Sequence, residues 1–118
     1  MTRSKNSPDP ILICAADAKV RESVRGVLGD TRTLILCEDP ESCLEIAANA
    51  RISVVLLDVS SPAAGVIQSL KSSHPSLKII TMSKARHEES ARQSVQQGAD
   101  GYLIYPLKPE ALLSVCRV

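Results

Sequence analysis

Four apolar residues in a row, Val54-Val55-Leu56-Leu57, run straight into Asp58, and Val59 leads on to a Ser60-Ser61-Pro62 turn. A strand with one wet face alternates apolar and polar residues, and this one does not. Both of its faces must be covered, which points to a parallel strand sandwiched between layers of helices. In open sheets of that kind the carboxyl ends of the strands carry the sites. Asp58 is therefore the first residue at which to look for chemistry.

The rest of the chain supplies the neighbouring strands and the covering layers. Ile11 to Cys14 is a short apolar run, predicting a first strand. Asp17 then caps a helix with Val20, Val24, Val27 and Leu28 at helical spacing, which Gly29 is expected to close with a positive φ. A second strand is predicted over 32–37. Asp39 and Pro40 open a second helix, with Leu44, Ala47 and Ala48 facing inward, joined by Cys43 and Ile46. The third strand runs over 53–57, a helix carrying Val66, Ile67 and Leu70 over 63–72, and a fourth strand over 77–82. A longer helix follows over 85–97, with a thin interior face of Ala85, Ala91 and Val95, ended by Gly98. A fifth strand over 101–104 leads to a last short helix using Leu112, Leu113 and Cys116. Residues 1–10, with two prolines, read as a flexible leader outside a domain of 11–118. Strict alternation with short connections predicts an α/β fold of parallel strands with right-handed crossovers. Spacing does not by itself give the strand order, and the common solution at this size is a flavodoxin-like (βα)5 three-layer sandwich in the order 2-1-3-4-5. That order sets the ends of strands one and three side by side, so that Asp58 faces the turn after strand one.

Composition excludes several function classes. With two Tyr, no Phe and no Trp, the core is aliphatic and there is no stacking platform for nucleic-acid bases. The net charge is +1, and Lys84, Arg86, His87 and Arg92 make a basic patch too sparse for a DNA-reading helix. Direct nucleic-acid binding by this domain is not expected. The cysteines, at 14, 37, 43 and 116, form no C-x-x-C pair, and the histidines are isolated. That argues for reduced thiols packed as small hydrophobes and against a zinc site. The sequence has neither an apolar run long enough to span a membrane nor a signal peptide, so a soluble cytoplasmic protein is expected. No glycine follows the first strand to cradle a phosphate, and no Ser-His-Asp or Cys-His set stands at the strand ends. An enzyme is not expected.

Four segments in order resemble the receiver domain of bacterial response regulators. They are Ile11 to Asp17, Val54 to Asp58 with Pro62 behind it, Ile79-Ile80-Thr81-Met82-Ser83, and Gly98 to Leu107. The resemblance covers residues 11–118 and implies two-component signalling through a phosphoaccepting aspartate. Asp58 matches the phosphoacceptor, Ser83 the hydroxyl residue that contacts the phosphoryl group, and Tyr102 the aromatic that changes rotamer on activation. Other positions depart from the family. Ala15 and Ala16 stand where the family has an acidic pair, and Tyr105 stands where it has a lysine. Lys108, three residues on, is no simple replacement. Gly65 comes seven residues after Asp58, one fewer than is usual.

The family holds Mg²⁺ with the acidic pair and the acceptor aspartate, and this ion steadies the incoming phosphoryl group. With methyls at Ala15 and Ala16, and a phenol at Tyr105 in place of an ammonium, no Mg²⁺ or other cofactor is expected. The resemblance then implies a degenerate, pseudo-receiver-like domain that works without phosphorylation. It would bind a protein partner or a second copy through the face of the fourth helix, fifth strand and last helix, with an output domain possible in a parent chain. The alternative is an atypical receiver still phosphorylated on Asp58. Plainer roles stand beside these: Asp58 as a strand-end turn cap, Ser83 as a helix cap, Tyr102 as packing. A lone Asp58 carboxylate can be satisfied by Ser83, by backbone N–H groups or by water, and the Tyr105 hydroxyl is a further candidate donor to it.

Overall fold

The computed structural model describes residues 9–60 and 64–116. Its strands are β1 (Ile11–Cys14), β2 (Leu34–Cys37), β3 (Val54–Asp58), β4 (Lys78–Ser83) and β5 (Gly101–Ile104). They form one parallel sheet in the order β2-β1-β3-β4-β5, the flavodoxin-like order expected. Between and after them come α1 (Ala18–Leu28), α2 (Pro40–Asn49), α3 (Ala64–Ser73), α4 (Glu88–Gln96) and α5 (Pro109–Val115). A short 3-10 turn over Ala85–His87 precedes α4. Most of the leader expected over residues 1–10 lies outside the described residues, as does the Ser61-Pro62 part of the turn after β3.

The central strands are buried on both faces, as their unbroken apolar runs require. Alternate residues of β1 and β3 feed opposite layers. Leu12, Val55 and Leu57 pack with Cys43, Ala47, Ile67 and Ala91 of α2, α3 and α4. Ile11, Ile13, Val54 and Leu56 pack with Val24, Leu28 and Leu112 of α1 and α5. Full burial of each large aliphatic side chain contributes about 1.5–3 kcal/mol, which makes β3 the spine of the fold. At the amino end of the sheet the Arg32 guanidinium donates to the Asp9 and Cys116 carbonyls, both at 2.9 Å, and to Ser53 Oγ at 2.8 Å. It thereby ties the chain's entry into β1 to the start of β3 and the end of α5.

The caps at Asp17 and Asp39 form as expected: their carboxylates accept from Lys19 N at 2.8 Å and Ser42 N at 2.7 Å. Other expectations need correction. Gly29 ends α1 at φ −62°, in the right-handed region. Its lack of a side chain matters through close approach, since a Cβ there would lie 2.6 Å from the Arg25 carbonyl oxygen. On α2 the buried stripe is Cys43 and Ala47, one turn apart, which leaves Ala48 exposed. On α4 the interior face is Ala91 and Ser94; Ala85 is exposed and Val95 is 42 % exposed. A serine replaces the expected apolar residue because its hydroxyl meets Thr81 Oγ1 at 2.7 Å and donates to the Ala91 carbonyl at 2.5 Å. At α5, Leu112 and the C-capping Cys116 turn inward while Leu113 faces out.

Candidate functional site

Asp58 ends β3, and the next residue stays tied to β4, the Val59 N–H donating to the Met82 carbonyl at 2.8 Å. The half-buried carboxylate is engaged on both oxygens. Oδ1 accepts the Ser60 backbone N–H at 2.8 Å, which is an Asx turn. Oδ2 accepts the hydroxyl of Tyr105. Tyr105 is carried into place at the end of β5, where its backbone N–H donates to the Ser83 carbonyl at 2.9 Å. The peptide that follows it, to Pro106, is cis. Burial, and then the bond to Asp58, push the Tyr105 phenol well above the ordinary range, so it stays a protonated donor.

The other residues singled out from sequence sit around this pair unequally. Ala15 continues the β1–β2 ladder, its N–H donating to the Cys37 carbonyl at 3.1 Å, and it is buried. Ala16 is exposed, and Asp17 is spent on its helix cap. Ser83 is fully buried, and its hydroxyl donates to the Lys84 carbonyl at 3.2 Å. Lys84 itself precedes the 3-10 turn, and no side chain caps it, so Ser83 is not the helix cap offered as its plainer role. Tyr102 lies one register step from the site, beside Thr81, and its hydroxyl donates to Glu88 Oε2 on α4 at 3.2 Å.

Sequence reading missed Arg21. One turn into α1, its guanidinium Nη1 reaches back to the carbonyl oxygens of Ala15 at 2.6 Å and Ala16 at 3.1 Å. The only signal was its place four residues after a capping aspartate. A positive group thus holds the β1 end at the place where the family has two carboxylates. A cleft of about 810 Å³ does not coincide with Asp58. It opens at the amino end of the strands, between Asn49, Arg51 and the His74-Pro75 turn, and brings together no set of reactive groups.

A scan against family models matches residues 11–117 to the response regulator receiver domain. The chain belongs to that family. It is 28% identical over 116 residues to the nitrate/nitrite response regulator protein NarL of Escherichia coli K12, covering 93% of this chain and 54% of NarL. It is 35% identical over 115 residues to response regulator MprA of Mycobacterium sp. strain KMS, covering 93% of this chain and 50% of MprA. The chain thus spans about half the length of the curated relatives it matches. Among solved structures, the receiver domain of NtrX from Brucella abortus superposes with a TM-score of 0.79 at 25% identity, over 89% of this chain and 92% of that one. A CheY-like receiver domain from Methanospirillum hungatei JF-1 gives 0.81 at 22%, over 92% and 90%. This is a receiver domain of the kind used in two-component signalling.

The family's Mg²⁺ does not suit the residues present. Magnesium takes carboxylate and carbonyl oxygens in near-octahedral array. Ala15 and Ala16 offer methyls, and both Asp58 oxygens already accept hydrogen bonds. Among the described residues, no group of three or more His, Cys, Asp or Glu is arranged to hold a metal ion. Among the same residues, no helix is long and apolar enough to cross a membrane.

Proposed function

We propose that this receiver domain is a protein-interaction module whose activity does not depend on phosphorylating Asp58. The observation that carries the reading is the Tyr105 hydroxyl on Asp58 Oδ2. It engages a carboxylate oxygen at the phosphoacceptor position, and it comes from the position of the family's lysine. A neutral phenol there supplies none of the positive charge that would offset an aspartyl phosphate. Ala15 and Ala16 remove the metal's carboxylates for the same net effect. The pocket is held in one state instead of being poised between two.

The partner surface in this reading is the α4–β5–α5 edge of the sheet. Two large apolar side chains, Val95 on α4 and Leu113 on α5, are each 42% exposed. Such groups beside an edge strand suit a second copy of the chain or another regulatory protein. A linked output domain fits relatives about twice as long as this chain. Light scattering with and without a small-molecule phosphodonor tests the reading. The expected mass, monomer or dimer, is unchanged by the donor, and V95D/L113D lowers the mass of any dimer. A donor-dependent change in mass overturns it.

A further inference from the structure

Three of the four cysteines converge at the carboxyl end of β1 and β2, although their sequence spacing suggested isolated thiols. Cys14 and Cys37 are in-register partners on neighbouring strands, and Cys43 packs into the same core cluster from α2. All are free, with exposures of 2% for Cys14, 8% for Cys37 and 0% for Cys43. Cys37 has a route to solvent: it lines a cleft of about 390 Å³ together with Arg21, Glu38, Asp39, Ser42 and Glu45. Its sulfur lies 3.8 Å from the Asp39 carbonyl oxygen, the oxygen that also accepts the Cys43 N–H at 3.2 Å. The two sulfur-bearing residues are thus joined through one turn at the start of α2.

We propose that Cys37 is an oxidation site for hydroperoxides, resolved by Cys43 into a Cys37–Cys43 disulfide. The Cys37 sulfur attacks the peroxide's oxygen; an S–O bond forms, the O–O bond breaks, and water or an alcohol leaves. The Cys43 sulfur then attacks the Cys37 sulfur of the sulfenic acid. The S–S bond forms, the S–O bond breaks, and hydroxide departs as water with the Cys43 proton. Two thiols lose two electrons, and the hydroperoxide takes them up.

Cys43 is a better resolving partner than Cys14 on geometric grounds. Strands in a sheet stay about 4.8 Å apart. A pair of in-register side chains pointing to one face holds its Cβ atoms near that spacing, beyond the roughly 3.5–4.5 Å that a disulfide takes. The first turn of a helix can shift to close such a gap more readily than two strands held together by a hydrogen-bonded ladder. The nearness of the Cys14 and then the Cys43 thiol also lowers the Cys37 pKa, against the opposing effect of burial, and so favours the reactive thiolate. The bond would fasten the start of α2 to the end of β2, at the same end of the sheet as Asp58.

The test uses the intact, reduced chain exposed to hydrogen peroxide, alkylated, and digested with trypsin without reduction. No Lys or Arg separates Arg32 from Arg51, so Cys37 and Cys43 share the peptide 33–51 while Cys14 and Cys116 fall in others. The expected product is peptide 33–51 unalkylated and lighter by two hydrogens, with Cys14 and Cys116 alkylated as internal references. In C43S, the expected product is Cys37 sulfenic acid captured by a cyclic-diketone probe; the wild-type peptide decides the matter should that variant not fold. A doubly alkylated 33–51 peptide after oxidant, or a cross-link to the Cys14 peptide, overturns the proposal.

Discussion

Replacing Tyr105 with Phe removes one oxygen and keeps the ring that packs beside the α1–α5 layer. What is lost is the hydrogen bond to Asp58 Oδ2. Bonds to charged groups contribute about 1.5–3 kcal/mol. Asp58 is half-buried, so water can reach the freed oxygen, and the low end applies: about 1.5 kcal/mol. At about 2.1 cal/mol/K of unfolding entropy per residue, a chain of 118 residues then melts about 6 °C lower. Part of that loss could reflect the unfolded chain, so the decisive form is a double-mutant cycle of Y105F with D58A, read by urea unfolding at neutral pH. D58A alone also removes the Ser60 turn bond, but that cost cancels in the cycle. A coupling energy of about 1 kcal/mol or more is expected. A value below about 0.5 kcal/mol would refute the claim that the phenol and the carboxylate hold each other.

Three further outcomes follow from contacts already described. The Tyr105 phenol, ordinarily at 10.0, titrates higher in the folded protein, so its contribution to stability is whole below pH 10 and is lost as pH rises through the folded value; absorbance titration should show D58A bringing one tyrosine's ionisation to lower pH, and identical curves would contradict this. S94A strands the buried Thr81 hydroxyl and should cost about 1–3 kcal/mol in urea unfolding, whereas T81V/S94A, which removes both partners, should cost clearly less. Asp100 is opposed by partial burial but held by Lys71 Nζ and Ile79 N, both at 2.8 Å, so its pKa falls below 3.8. Its contribution is present above that value and is lost as pH falls through the depressed one. D100N should therefore flatten the acid limb of the stability curve and cost about 1 kcal/mol at neutral pH, discounted for exposure.

The fold was legible in sequence because its cues are local and agree with one another. The unbroken Val54–Leu57 run demanded cover on both faces, and Asp17, Asp39 and Pro40 marked helix starts by chemistry that depends on few neighbours. Helix faces were less legible where tertiary contacts overrode hydrophobicity. Ser94 is inside because Thr81 is opposite it, and Val95 is outside because the stripe turns away. At the site, the Ala15, Ala16 and Tyr105 departures could be read directly, whereas the phenol was one of several partners left open for Asp58, and only the fold selects it together with the Ser60 N–H. Arg21 could not be read, since nothing in a linear sequence shows a helix side chain folding back onto the preceding strand's carbonyls. The cysteine cluster was hidden for a similar reason: residues 14, 37 and 43 meet only once β1, β2 and α2 are stacked.

The most direct test of the central claim is intact mass of the wild-type domain after incubation with a small-molecule acyl phosphate, with and without Mg²⁺. The closed Asp58–Tyr105 pair and the two alanines predict no added phosphoryl group under either condition. A Mg²⁺-dependent gain of one phosphoryl group that disappears in D58N would contradict the account and restore a working phosphorylation switch.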